Sequence, residues 1–307
     1  MKGGMILTSI HSMLCGKLLG DGSITQQAGR KPRFAFNHAA KDKEWCFYCY
    51  HSLNPYIPLS PPAYKRSMDP RIKKGFSESY YVQSKSNPLI TTLRSIWYPD
   101  NKKSLPHDYI SRHLDTLALA WWYQDDGHLK KENEIPRKII LSTESFTHVE
   151  NKFLINLLYN RFNLHFALDG QNRLLLYDQF QIFYFLHLIT PYLIPGMHRK
   201  LIRFNTIKPS IAASKRTTIY LPTLLKLKHP TKEINEQLSI LTALYDEIKR
   251  ERFYSNVLLN TVEELSTQEI KPYQVVIKPN NLEICLILKN ITGLNTGQLV
   301  TLCFLMN

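Results

Sequence analysis

The chain has 307 residues, 44% hydrophobic and 21% charged, an ordinary globular composition with room for two or three domain-sized units. No apolar run reaches the length of a membrane span, and the start of the sequence lacks a secretory apolar region followed by a small-residue cleavage site, which sets membrane and secretory classes aside. The formal charge of +14 favours a polyanionic partner, most simply nucleic acid, and it is uneven: residues 1–205 hold 27 Lys and Arg against 16 Asp and Glu, residues 206–307 only 12 against 9.

The first predicted element is a mostly apolar helix over Ile10–Gly22, with Ile10, Met13, Leu14 and Leu18 at helical spacing and an Asp21-Gly22 end. Ser23–Ala39 reads as a hairpin, with Gly29 near its turn and Phe34 and Phe36 alternating with polar neighbours. A helix over Asp42–Leu53 follows, stopped by Asn54-Pro55. It carries the single C-x-x-C, Cys46 and Cys49. Five cysteines argue against a disulfide framework, and with no second pair beside His38 or His51 we read these two as core residues rather than zinc ligands. A Pro-rich stretch leads through Ala63–Arg66 to a strand over Phe76–Lys85, then to a helix over Leu89–Trp97 opened by Asn87-Pro88.

Leu114–Gly127 begins a second round. Asp115 suits an N-cap, and Leu117–Tyr123 has no polar side chain, which makes this a central helix buried on every side. It runs into Gln124-Asp125-Asp126-Gly127, where carboxylates are costly unless water, a metal or donors reach them. Lys138–Thr143 reads as a strand, Thr147–Glu150 as a capping box opening a helix through Arg161, Leu164–Leu168 and Arg173–Tyr177 as a hairpin, and Asp178–Ile189 as a helix. Residues 206–307 stand apart. Asn205–Arg216 reads as a linker, Thr231–Phe253 as an amphipathic helix, and Leu282–Asn290 with Thr296–Met306 as two helices about a turn. That pair reads either as a helix-turn-helix or as helices packed on the body.

The two apolar helices are a repeat. Leu14 aligns with Leu119, Cys15 with Ala120, Asp21 with Asp126 and Gly22 with Gly127, at an interval of 105 residues. Each half reads α-β-β-α-β-β-α, which gives each lobe a four-stranded antiparallel sheet with helices on one face and the other face free. The fold class is therefore α+β: lobes over 1–113 and 114–205, and a mainly helical accessory domain over 206–307. The free faces suit DNA, since a β-ribbon fits a major groove and alternate side chains point at base edges. Lobe one offers Gln26, Arg30, Lys31, Arg33, Lys65, Arg66, Lys73, Lys74, Gln83 and Lys85. Lobe two offers Lys130, Lys131, Arg137, Lys138, Ser142, Glu144, Gln171 and Arg173.

The motifs Leu14-Cys15-Gly16-Lys17-Leu18-Leu19-Gly20-Asp21-Gly22 and Leu119-Ala120-Trp121-Trp122-Tyr123-Gln124-Asp125-Asp126-Gly127 resemble those of the LAGLIDADG homing endonuclease family in its single-chain, two-motif form. Trp121 and Asp125 stand where that pattern has small residues. The likeness continues through Ser145–Thr147 and Pro191–Pro195 and covers roughly residues 8–205. It implies a monomeric, site-specific double-strand DNA endonuclease that recognises a long asymmetric site, leaves short 3′ overhangs and promotes homing of its own intron or gene. Asp21 and Asp126 would hold Mg2+, with Mn2+ able to substitute and the backbone carbonyls of Gly20 and Asp125 adding ligands. Lys103 and Lys200, 82 residues after Asp21 and 74 after Asp126, match the family's basic residues near the cleavage site; Lys102 and Arg199 are their rivals. The alternative on the same fold is an RNA-binding intron maturase, for which intron RNA would be the partner. Retention of both acids favours the enzyme.

Overall fold

A computed structural model describes residues 2–71, 73–202, 216–249, 254 and 256–306. The chain forms two compact units, one of residues 1–177 with 185–202 and one of residues 178–184 with 203–307. The observed division falls after residue 202 rather than 205, and it also gives residues 178–184 to the second unit. No helix among the described residues is long and apolar enough to cross a membrane.

The first unit contains both lobes. Lobe one runs α1 (Lys2–Leu19), β1 (Ser23–Thr25), β2 (Arg33–Ala39), α2 (Lys43–Leu53), β3 (Ala63–Met68), β4 (Phe76–Gln83) and α3 (Pro88–Trp97). A short α4 (His107–His113), not expected from the sequence, leads into lobe two: α5 (Thr116–Asp126), β5 (Gly127–Glu132), β6 (Ile135–Leu141), α6 (His148–Phe162), β7 (Ala167–Leu168), β8 (Leu174–Leu176) and α7 (Gln179–Ile189). The sheets are antiparallel with matching orders, β1-β2-β4-β3 and β5-β6-β8-β7. This is the expected two-lobe α+β architecture. The second lobe's sheet starts earlier than expected, at the residue directly after α5.

The caps are those the sequence indicates. The Asp115 carboxylate accepts from the amide of Ala118, and Thr147 and Glu150 form the capping box of α6. The core of this unit centres on α1 packed against α5. Every residue of α5 from Ala118 to Gln124 is buried, as an all-round apolar helix requires. The contact is close because α1 offers glycine where α5 offers bulk. A methyl group added at Gly16 would stand 2.4 Å from the Ala118 carbonyl oxygen and 2.7 Å from Cβ of Trp121. At Gly20 it would stand 2.6 Å from Cβ of Asp125. The bulk of Trp121 and Asp125 is thus taken up by the glycines facing them. Because backbone blocks the added methyl, Gly16→Ala should destabilise the protein by about 1–3 kcal/mol, the usual cost of overpacking. Urea unfolding checks this; an unchanged midpoint would contradict the close fit.

The second unit pairs β9 (Arg216–Pro222) with β10 (Ile270–Val276). Its helices are α8 (Pro230–Gln237), α9 (Leu241–Lys249), α10 (Asn256–Thr267), α11 (Pro279–Thr292) and α12 (Thr296–Leu305). The expected linker Asn205–Arg216 lies, except for Arg216, outside the described residues. The helix expected over Thr231–Phe253 is broken by a 3-10 turn at Leu238–Ile240, and its residues 250–253 are also outside the described set. The helix-turn-helix reading of α11 and α12 does not fit. Leu299, Val300, Thr301, Leu302 and Cys303 of α12 are all buried, and the helix carries no basic residue. A recognition helix needs an exposed polar face; α12 is a core helix of its unit.

Candidate active site

Both motif helices deliver an aspartate to their C-terminal ends: Asp21 follows α1, and Asp126 is the last residue of α5. Asp125 stands beside them but plays a different part. Its carboxylate is buried and fully engaged. One oxygen accepts from Lys17 Nζ at 2.9 Å and from Trp45 Nε1 at 2.7 Å; the other accepts from the amide of Asp21 at 3.1 Å. Lys17 is wholly buried on α1 and also donates to His38 Nε2 at 2.8 Å, with its ammonium 4.4 Å from the Phe36 ring centre. His38 Nδ1 in turn lies 3.1 Å from the Asp21 carboxylate. The sequence gives β2 alternate residues inward, and that parity puts Phe34, Phe36 and His38 on the helix side of the sheet.

These contacts set the electrostatics. Burial works most strongly against the Lys17 charge, but Asp125, by its charge and its hydrogen bond, together with Cys49 and Asp21 outweighs it and holds the ammonium above the ordinary lysine range. Burial works likewise against ionised Asp21, yet the His38 hydrogen bond and the charge of Lys17 hold its carboxyl below the usual range. Asp126 goes the other way: burial, then the charges of Asp21 and Asp125, push its carboxyl up to about 7. Among the described residues, no group donates a hydrogen bond or forms an ion pair to the Asp126 side chain.

Both predicted lysines reach this cluster. Lys103 Nζ lies 3.4 Å from the Gly22 carbonyl; burial lowers its pKa against the pull of Asp126, Asp125 and Asp21. Lys200 Nζ donates to the carbonyls of Tyr123, Gln124 and Asp125 at 3.0, 2.7 and 3.2 Å. It caps α5 electrostatically, and burial brings its ammonium down to about 8. Of the rivals, Lys102 is exposed and Arg199 is ion-paired with Asp42 at 2.8 Å.

A hard divalent cation suits the Asp21 and Asp126 carboxylates. Both are oxygen donors, they repel one another, and among the described residues none donates a hydrogen bond to the Asp126 carboxylate. A second set, Asp21, His38 and Asp125, gathers ligand atoms within 4.8 Å, but the Lys17 ammonium is bonded to two of the three and opposes a cation there. Asp125, expected to offer its backbone carbonyl to the metal, has its carboxylate bonded to Lys17 and Trp45 and its carbonyl accepting from Lys200.

The free sheet faces bring most of the predicted polar residues together. In lobe one, β pairing sets Arg33, Gln83 and Lys65 on one face, with Arg33 donating to Gln83 at 3.3 Å. Gln26, Arg30 and Lys31 occupy the β1–β2 loop, Lys73 and Lys74 the β3–β4 turn, and Lys85 follows β4. Arg66 falls on the opposite face, because neighbouring strand residues alternate, and stacks 3.5 Å over the Phe76 ring centre. In lobe two Lys130 and Lys138 face each other across β5 and β6, and the register shifts after Lys130. Lys131 pairs with Glu134, Arg137 with Glu132, and Arg173 with Asp169. Ser142, Glu144 and Gln171 are exposed. Sequence reasoning missed Asn37, Tyr81 and His128 on these faces, and Lys17, Trp45 and the role of His38 in the site. A lysine inside an otherwise apolar motif helix was the one available signal.

Comparison with known proteins agrees with this fold. The chain is similar to the Methanocaldococcus jannaschii protein MJ1098, 30% identical over 204 residues, 64% of this chain and 74% of the relative. It is also similar to the cytochrome b mRNA maturase bI2 of Debaryomyces hansenii, 29% identical over 202 residues, 62% of this chain and 72% of the relative. Among solved structures, the homing endonuclease I-WcaI bound to its DNA recognition sequence superposes with a TM-score of 0.56 at 22% identity, over 64% of this chain and 87% of that one, and shares the fold. The family model for the LAGLIDADG DNA endonuclease family matches residues 11–180. Since that match runs from the first motif helix to the start of α7, more than half of its length, the chain belongs to the LAGLIDADG DNA endonuclease family.

Proposed function

We propose that this protein is a monomeric, site-specific double-strand DNA endonuclease that uses Mg2+ and promotes the mobility of its own intron or gene. The observation that carries the proposal is the pair of carboxylates, Asp21 and Asp126, delivered by two lobes to the ends of one helix pair. When bound, Mg2+ would activate water and stabilise the leaving 3′-oxygen of a phosphodiester. Asp21 and Asp126 would hold it, joined by the Gly20 carbonyl. Lys103 and Lys200 would offset charge on the phosphorane from opposite lobes. The basic sheet faces would track the duplex, with Arg33, Lys65, Gln83, Lys130 and Lys138 best placed to reach base edges. One chain carries both lobes, so no second copy is needed.

Linear product from a supercoiled plasmid carrying the uninterrupted junction of the host gene, formed with Mg2+ and stopped by EDTA, is the expected result. No cleavage of any junction or selected library would overturn the proposal. DNA affinity should fall steeply with salt: six to ten phosphate contacts predict a loss of about 10³–10⁵-fold between 50 and 200 mM. A flat salt titration would remove the sheet faces from the interface. The maturase reading draws on the Debaryomyces hansenii relative, whose name is that of a maturase. Splicing of the host intron by the purified chain would support it as a second activity.

A further inference from the structure

The two lobes share a fold but treat their aspartates differently. Asp21 is held twice. His38 lies on its carboxylate, and Asp125 Oδ2 accepts from its amide. Lys17 has only protons to give, so His38 Nε2 accepts from it, and the Nδ1 proton is left to donate to Asp21. Neither hold is repeated in lobe two. The counterpart of Asp125 in the first motif is Gly20, which has no side chain with which to reach Asp126. The counterpart of His38 follows from strand register. Ser23 and His128, each two residues after its aspartate, pair with Ala35 and Ile140. Three residues further on stand His38 and Thr143. The Thr143 hydroxyl is buried and donates to the Asn172 carbonyl at 2.9 Å rather than to an aspartate.

We propose that His38 is a positioning residue for Asp21, and that the absence of an equivalent in lobe two makes the half-sites unequal, so the two DNA strands are cut at different rates. The inference rests on the endonuclease reading. Outer partners that orient a ligand are typically worth about 10–100-fold in affinity or activity.

Two measurements test it. The first needs neither metal nor DNA. In spectra of the metal-free full chain with ¹⁵N-labelled histidine, the His38 ring should carry its proton on Nδ1, and Asp21→Ala should shift that signal. A proton on Nε2, or a signal unmoved by Asp21→Ala, would overturn the proposal. The second uses a duplex that the wild-type protein cuts, with each strand labelled separately. His38→Leu should slow one strand about 10–100-fold more than the other. His38→Asn, which keeps a donor, should recover most of the rate lost on that strand. Equal slowing of both strands, or no rescue by Asn, would overturn it. Where His38→Leu melts early, the Asn variant and the spectra decide. A wild-type chain that cuts no DNA would instead sink the endonuclease reading, while the spectra would still report on the contact.

Discussion

Asp21→Asn and Asp126→Asn should each depress double-strand cleavage by at least about 10²–10³-fold, the scale on which loss of one preorganised charge-stabilising group is felt. Specific DNA binding should be largely kept, because neither acid lies on the basic sheet faces. The folds should also be kept. Asn at 21 still offers an oxygen to His38 Nδ1, and Asn at 126 removes a charge that Asp21 and Asp125 repel. Asp126→Asn should therefore melt no lower than wild type in metal-free buffer. Gel-shift titration, strand-resolved cleavage and a thermal melt separate these effects. Either variant cutting at the wild-type rate would remove that acid from the site, and lost binding would show that it contacts DNA directly.

Asp125→Ala should have the largest effect on stability. Lys17 is wholly buried, and among the described residues Asp125 is its one anionic partner at hydrogen-bond distance. Removing one member of a buried pair leaves the other charge uncompensated, which typically costs about 3–5 kcal/mol. Trp45 Nε1 and the Asp21 amide lose their acceptor in the same step. Replacing both charges, with Lys17→Met and Asp125→Leu together, should recover much of that loss, since well-packed apolar residues often match a buried ion pair. The double-mutant cycle by urea unfolding gives the coupling. Additive losses would mean that the two side chains do not act as a pair. The double variant should still lose activity, because the Asp21 amide is no longer held.

Where the chemistry repeats, it could be read from the sequence. Asp21 and Asp126 align at the ends of matching helices, and an apolar α5 can only be central. The lysines were legible through the segments before them, Trp97-Tyr98-Pro99 and Pro191–Pro195. The surroundings of Asp125 were not. Its partners Lys17 and Trp45 are 108 and 80 residues away, and no local pattern records such pairings. Arg66, expected with its neighbour Lys65 on the free face, lies on the other one, because strand parity separates adjacent residues and its guanidinium stacks on Phe76. The bounds of the strand after α5 were not legible because Lys130, Lys131 and Glu132 carry no apolar alternation; the pairing of their backbone with β6 makes them a strand. The pairing of β9 with β10 joins segments separated by three helices, so neither strand signals the other.

Trp121 fills the space that Gly16 leaves, and Asp125 the space that Gly20 leaves. The lobes are therefore a matched pair and cannot be exchanged freely. Two copies of the first lobe would set glycine against glycine and leave Lys17 facing Gly20, with no anion to pair with. Two copies of the second would set Trp121 against Trp121 and one buried carboxylate against another, with no cation between them. A chimera that recombines either lobe with one from a different nuclease must import a partner of complementary size at the third motif position. It must also supply opposite charge for whichever of Lys17 or Asp125 is retained.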